Sequence, residues 1–174
     1  MRVSPLIFAA LVAGAGCGGG PTAGIAEATG LVVYEGLPSP GSEASTFQAE
    51  SKAKQTREIG GQTFYRDPLP LAPADLATLR GLLAAPGALV EWSGEKKCGG
   101  FHADDAIEWT AGGSTRILLL CFTCSEAEVV GSGARYNIDQ TTAVPLKGLM
   151  RRFRKQRPPW RGLGEMNEPS GPPG

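Results

Sequence analysis

Four residues set the chemical possibilities of this sequence: Cys98 and His102, spaced C-x3-H, and Cys121 and Cys124, spaced C-x2-C after eighteen intervening residues. Thiolates and an imidazole in two close pairs are the ligand types of a tetrahedral zinc site. In a straight strand Cys121 and Cys124 would face opposite ways, so shared ligation requires the chain to turn at Phe122-Thr123. The expectation for an oxidising compartment is instead a disulfide from Cys98 to Cys121 or Cys124, which would leave one buried thiol. A redox dithiol at Cys121 and Cys124 would need a setting such as a helix N-terminus to lower a thiol pKa, and this pair ends an apolar run. Covalent haem attachment is excluded, because Ser125 stands where C-x2-C-H needs a histidine. Zinc is therefore the one cofactor to weigh, as an alternative to none.

His102 is the single histidine, with Asp104 and Asp105 beside it. Nothing resembling G-x-S-x-G, H-E-x-x-H or a phosphate-binding glycine loop accompanies them, so a structural histidine is expected and no enzymatic activity is. A second chemical feature is the basic run Lys147, Arg151, Arg152, Arg154, Lys155 and Arg157, with Arg161 beyond it. Such a cluster could meet lipid headgroups, polysaccharide or an acidic envelope protein, and it could equally be the solvated face of an amphipathic helix. The whole chain carries 17 Lys plus Arg against 17 Asp plus Glu. That balance gives no global preference for nucleic acid.

The chain opens with Arg2, then the apolar run Leu6-Ile7-Phe8-Ala9-Ala10-Leu11-Val12-Ala13, then Gly14-Ala15-Gly16-Cys17. The run is too short for a transmembrane helix and suits a signal peptide. Small residues leading into a cysteine resemble the lipobox of bacterial lipoproteins, with Gly14 where a bulky apolar residue is usual. The resemblance implies cleavage before Cys17, acylation of that cysteine, export, and anchoring to the cell membrane or the outer membrane. Gly18, rather than an acidic residue, fits onward sorting to an outer membrane under Gram-negative rules. The ordinary secretory alternative also exports the protein but leaves Cys17 a plain thiol.

These groups must be positioned by the elements that follow. Residues 17–29 read as the lipidated cysteine and a flexible tether, 30–157 as one globular domain, and 158–174 as a disordered Pro/Gly-rich tail. Leu31 to Glu35 reads as a strand, Arg57 to Arg66 as a second broken at Gly60-Gly61, and Ala88 to Trp92 as a third. Between the first two lies a long loop with a short helix near Phe47 to Lys54. Pro73 to Ala84 reads as a helix with Leu76, Leu79, Leu82 and Leu83 on one face. Ala106 to Thr110 and Thr115 to Phe122 form a hairpin about Gly112-Gly113, and the unbroken apolar run of the second strand places it at the sheet centre. Glu126 to Val130 continues or pairs with it, and Arg135 to Ile138 adds an edge. A last helix spans about Thr142 to Gln156, with Pro145 required in its first turn. The sum is an α+β domain, a single antiparallel sheet of five or six strands carrying two helices. Across Leu31 to Pro158 the C-G-G-F-H-x-D and C-F-x-C runs resemble a pattern of exported bacterial proteins, which implies a shared domain and no particular activity.

Overall fold

The computed structural model describes residues 20–93 and 100–157. Six strands form one antiparallel sheet: β1 (Thr29–Glu35), β4 (Leu89–Glu91), β5 (Asp105–Ala111), β6 (Ser114–Cys121), β7 (Glu126–Val129) and β8 (Ala134–Ile138). Their spatial order is β1-β5-β6-β7-β8-β4. A separate hairpin pairs β2 (Thr56–Ile59) with β3 (Gln62–Tyr65), and the helices are α1 (Ala44–Ala53), α2 (Pro73–Ala84) and α3 (Gln140–Phe153). The α+β expectation therefore holds; α1 is the short helix expected near Phe47, and the strand expected over Arg57 to Arg66 is instead a hairpin outside the main sheet. Among these helices none is long and apolar enough to cross a membrane.

The apolar run of β6 explains the layers. Alternate side chains of a strand leave opposite faces. Leu118 and Leu120 enter one core with Val33, Ile107 and Trp109, under Leu79 and Leu83 of α2 and Leu146, Leu149 and Met150 of α3. Leu119 enters a second core with Tyr34, Ala106, Ile59 and Phe64, so the β2–β3 hairpin covers the other face. The strand is central and covered on both sides, as its composition predicts. Gly112 and Gly113 take positive φ of 57° and 76° and close the β5–β6 turn.

Two expectations are corrected. The segment expected to be a tether through residue 29 is packed from its first described residues: Ile25 and Ala28 are buried, and the Ala23 carbonyl accepts the Trp109 indole N–H at 3.3 Å. Two apolar side chains and a buried indole in need of an acceptor fix this stretch onto the sheet. The other concerns Pro145, which lies inside α3 because the helix starts at Gln140, where Asp139 caps it by accepting the Thr141 N–H at 2.9 Å. The cap and the buried stripe of Leu146, Leu149 and Met150 hold the helix despite the N–H that proline lacks.

Leu119 is fully buried between the main sheet and the hairpin. Leu119→Ala is expected to lower unfolding free energy by about 2–5 kcal/mol in urea titrations. A cost under about 1 kcal/mol would mean that the hairpin does not seal this face.

Candidate functional site

All six strands share two ends. At one end Glu35 pairs with Asp105, Asp105 with Leu120, and Cys121 with Glu126. This end gathers most of the buried polar groups of the domain, because the segment that follows α3 turns back across it.

Glu35, at the last position of β1, is fully buried. Its carboxylate accepts three successive backbone N–H groups, from Lys155 at 3.1 Å, Gln156 at 3.2 Å and Arg157 at 3.3 Å. Asp104 lies just before β5. Its Oδ2 accepts the Phe122 N–H at 2.7 Å, while Oδ1 accepts Arg154 Nη2 at 3.1 Å and Arg157 Nη2 at 3.3 Å. Arg157 Nη1 also donates to the Leu37 carbonyl at 3.0 Å. Gly36 lies against the backbone before β5, its N–H donating to the Asp104 carbonyl at 2.8 Å. A Cβ there would come within 2.3 Å of the Ala103 carbonyl, so no larger residue fits without moving backbone.

Asp105 completes the cluster differently. It is fully buried, its Oδ2 lies 3.9 Å from Arg154 Nη2, and neither oxygen has a hydrogen-bond partner among the described residues. Burial pushes its pKa well above the ordinary 3.8, Arg154 opposes the rise, and Asp104 and Glu35 add to it. Three buried carboxylates, with the more exposed Glu43 3.8 Å from Arg157 as a fourth, face two guanidiniums here, and this excess of negative charge favours the protonated form of Asp105.

His102 stands beside Asp104, half-buried, and neither ring nitrogen closes a hydrogen bond among the described residues. Burial lowers its pKa, against the pull of Asp104 and with the help of Arg157. Cys121 is a buried free thiol whose pKa burial raises, although the Cys124 N–H points at its Sγ at 3.4 Å and lowers it. The chain does leave the strand in a turn over residues 122–125, and Ser125, just past Cys124, takes φ 53°.

These positions rearrange the sequence expectations. Cys17 and Cys98 lie outside the described residues. The disulfide expected from Cys98 is not formed through Cys121, whose thiol is free. Among the described residues no three His, Cys, Asp or Glu side chains are grouped to hold a metal ion. The basic run is not one exposed face. Arg154 and Arg157 are buried in the ion cluster, Arg152 pairs with Asp75 of α2 at 3.0 Å, and Lys147 and Arg151 are half-buried. Lys155 and Arg152 remain exposed. The physical reason is charge: Asp104, Asp105 and Glu35 need cations, and α3 ends where Arg154 and Arg157 can supply them. Glu35 and Asp104 were missed as site residues, and the signal that marks them is a charged residue closing or opening an otherwise apolar strand.

No protein family, curated protein or solved structure matches the chain.

Asp104→Ala strands two buried guanidiniums and is expected to cost about 3–5 kcal/mol of stability. A loss under about 1 kcal/mol, the level of an exposed pair, would show that the cluster is solvated. Asp105→Asn should fold. Because the folded pKa of Asp105 is raised, its contribution is fully present below pH 3.8 and is lost as pH rises through the folded value. The Asn variant should therefore gain on the wild type as pH rises from 4 to 8 in parallel denaturation series; a constant difference would mean that Asp105 titrates normally.

Proposed function

We propose that this chain is an exported bacterial lipoprotein, anchored through acylated Cys17 to the cell membrane or the outer membrane, whose domain is a binding or structural module without a reaction of its own. The observation that carries the second half is the commitment of four charged groups at the Glu35–Asp105 end. Asp104, Glu35, Arg154 and Arg157 are buried and bonded to one another or to backbone, and Cys121 is a protonated thiol. Groups so held fix a structure rather than meet a substrate. The anchor half rests on the leader and the Gly14-Ala15-Gly16-Cys17 run. Envelope protein, polysaccharide or lipid remain the partner classes, and nucleic acid does not.

Expression of the full chain in a bacterium that processes lipoproteins tests the anchor. The N-terminal peptide should begin at Cys17 and carry diacylglycerol, and Cys17→Ser should abolish both the modification and membrane retention. An unmodified Cys17, or cleavage elsewhere, would sink the reading.

Two observations favour a second reading, a zinc site of Cys98, His102, Cys121 and Cys124. The turn that shared ligation by Cys121 and Cys124 demands is present, and both ring nitrogens of His102 lack a hydrogen-bond partner among the described residues. Denaturing the mature protein with chelator and alkylating reagent, without reductant, separates the possibilities by intact mass. Modification of Cys98, Cys121 and Cys124 together, with zinc released from the native protein, supports the metal site. A single modification means a disulfide and removes it.

A further inference from the structure

Gly20 opens a turn that leads the chain onto the sheet, and with Pro21 it borders residues 91, 92 and 133–136. The Ala23 N–H donates to its carbonyl at 2.9 Å, and the chain then runs through buried Ile25 into β1. Between Cys17 and Gly20 lie only residues 18 and 19. Three extended residue steps reach at most about 11 Å, whatever their conformation. An acyl group on Cys17 therefore holds one particular face of the domain against the bilayer.

That face is the end of the sheet opposite the ion cluster. β1 begins there, β5 ends at Ala111 and turns into β6 at Ser114, β7 ends at Val129 opposite Ala134 of β8, and β4 ends at Glu91 opposite Tyr136. Beside Gly20 and Pro21 opens a hollow of about 660 Å³, lined also by Trp92, Arg135 and Tyr136. Trp92 is 38% exposed, although large apolar side chains are usually withdrawn from water. Nearby Val90 on the edge strand β4 is 43% exposed. Tryptophan and tyrosine are the residues that settle at the headgroup level of a bilayer, where one part of the ring is dry and the other wet.

From the short leash and this aromatic hollow we infer that the Trp92 face is a membrane-contacting surface, seated on the lipid headgroups of the bilayer that holds Cys17. The inference rests on the lipoprotein reading above. The anchor supplies the affinity, and the leash raises the local concentration of lipid at this face far above that of any soluble competitor.

The test uses the lipidated full chain, in a Trp160→Phe background, reconstituted into phosphatidylethanolamine–phosphatidylglycerol vesicles doped with dibrominated phosphatidylcholine. Trp92 and the buried Trp109 then account for the emission. Brominated lipid should quench this protein, and Trp92→Phe should remove most of the quenching while leaving the thermal melt unchanged, since Trp92 is partly exposed. Acylation confirmed by mass, with quenching equal in the two proteins, would overturn the inference and leave the anchor intact. Absence of the acyl group would instead remove the lipoprotein reading itself, and the inference with it.

Discussion

One carboxylate ties together parts of the chain that would otherwise have no reason to meet. Asp104 accepts the backbone N–H of Phe122 where the chain leaves β6, and on its other oxygen it holds Arg154 and Arg157 beyond the end of α3. Glu35 reinforces this from β1 by capping three N–H groups of the same C-terminal segment. The end of the sheet, the strand edge and the exit of the last helix are thus fixed by charge rather than by apolar burial. Burying such groups is costly, and apolar residues of similar size often stabilise as well or better. What a charged cluster adds is register: a fatty contact can slide, whereas two guanidiniums on one oxygen admit few arrangements.

How far this was legible follows from the range of the interactions. The unbroken apolar run of β6, the glycine pair at 112–113 and the leucine spacing of α2 are local patterns, and each was realised where the residues place it. The covering of the second sheet face was not legible. Thr56 to Tyr65 alternates too weakly to show whether it joins the main sheet or forms a hairpin laid over Leu119, and that choice depends on the shape of the face beneath. The ion cluster was hidden for a different reason. Its ion pairs and the Glu35 contacts span 49 to 122 positions, and in the sequence Arg154 and Arg157 are two more cations in a basic run. Nothing local separates a guanidinium headed for Asp104 from one headed for water. The N-terminal stretch misled through composition, since glycine, proline and small residues read as slack chain although Ile25 and Ala28 suffice to pin it.

The cysteine region illustrates the same division. That Cys121 ends a central strand is a local matter, and so is the need for a turn before Cys124. The protonation of Cys121 is not local: it follows from burial at the end of the sheet, next to Asp104, whose negative charge further disfavours a thiolate. A thiol in that position is poorly suited to attack anything unless a metal or a structural opening relieves the burial. The same burial favours neutral His102, so desolvation withdraws charge from both the imidazole and the thiol, although a neutral imidazole keeps a nitrogen lone pair that a metal could use.

The two ends of the sheet therefore differ in kind, and the difference has a direction. β5 alone runs from Asp105 to Ala111, which at strand geometry separates the ion cluster from the Gly20 end by about 20 Å. One end receives the chain three residues after Cys17 and presents Trp92 and the hollow beside it; the other is locked by buried charge, and from it, at Arg157, the chain continues towards residue 174. If Cys17 is acylated, this arrangement sets which end faces lipid and which faces outward. The leash would then bound how far the Gly20 end can stand from the lipid, while the ion cluster holds the exit of α3 at the other end of the sheet. α3 is held twice over, by Leu146, Leu149 and Met150 in the core and by the Arg154 and Arg157 pairs with Asp104 just beyond its end, so the far end of the sheet keeps its shape whatever the Gly20 end meets.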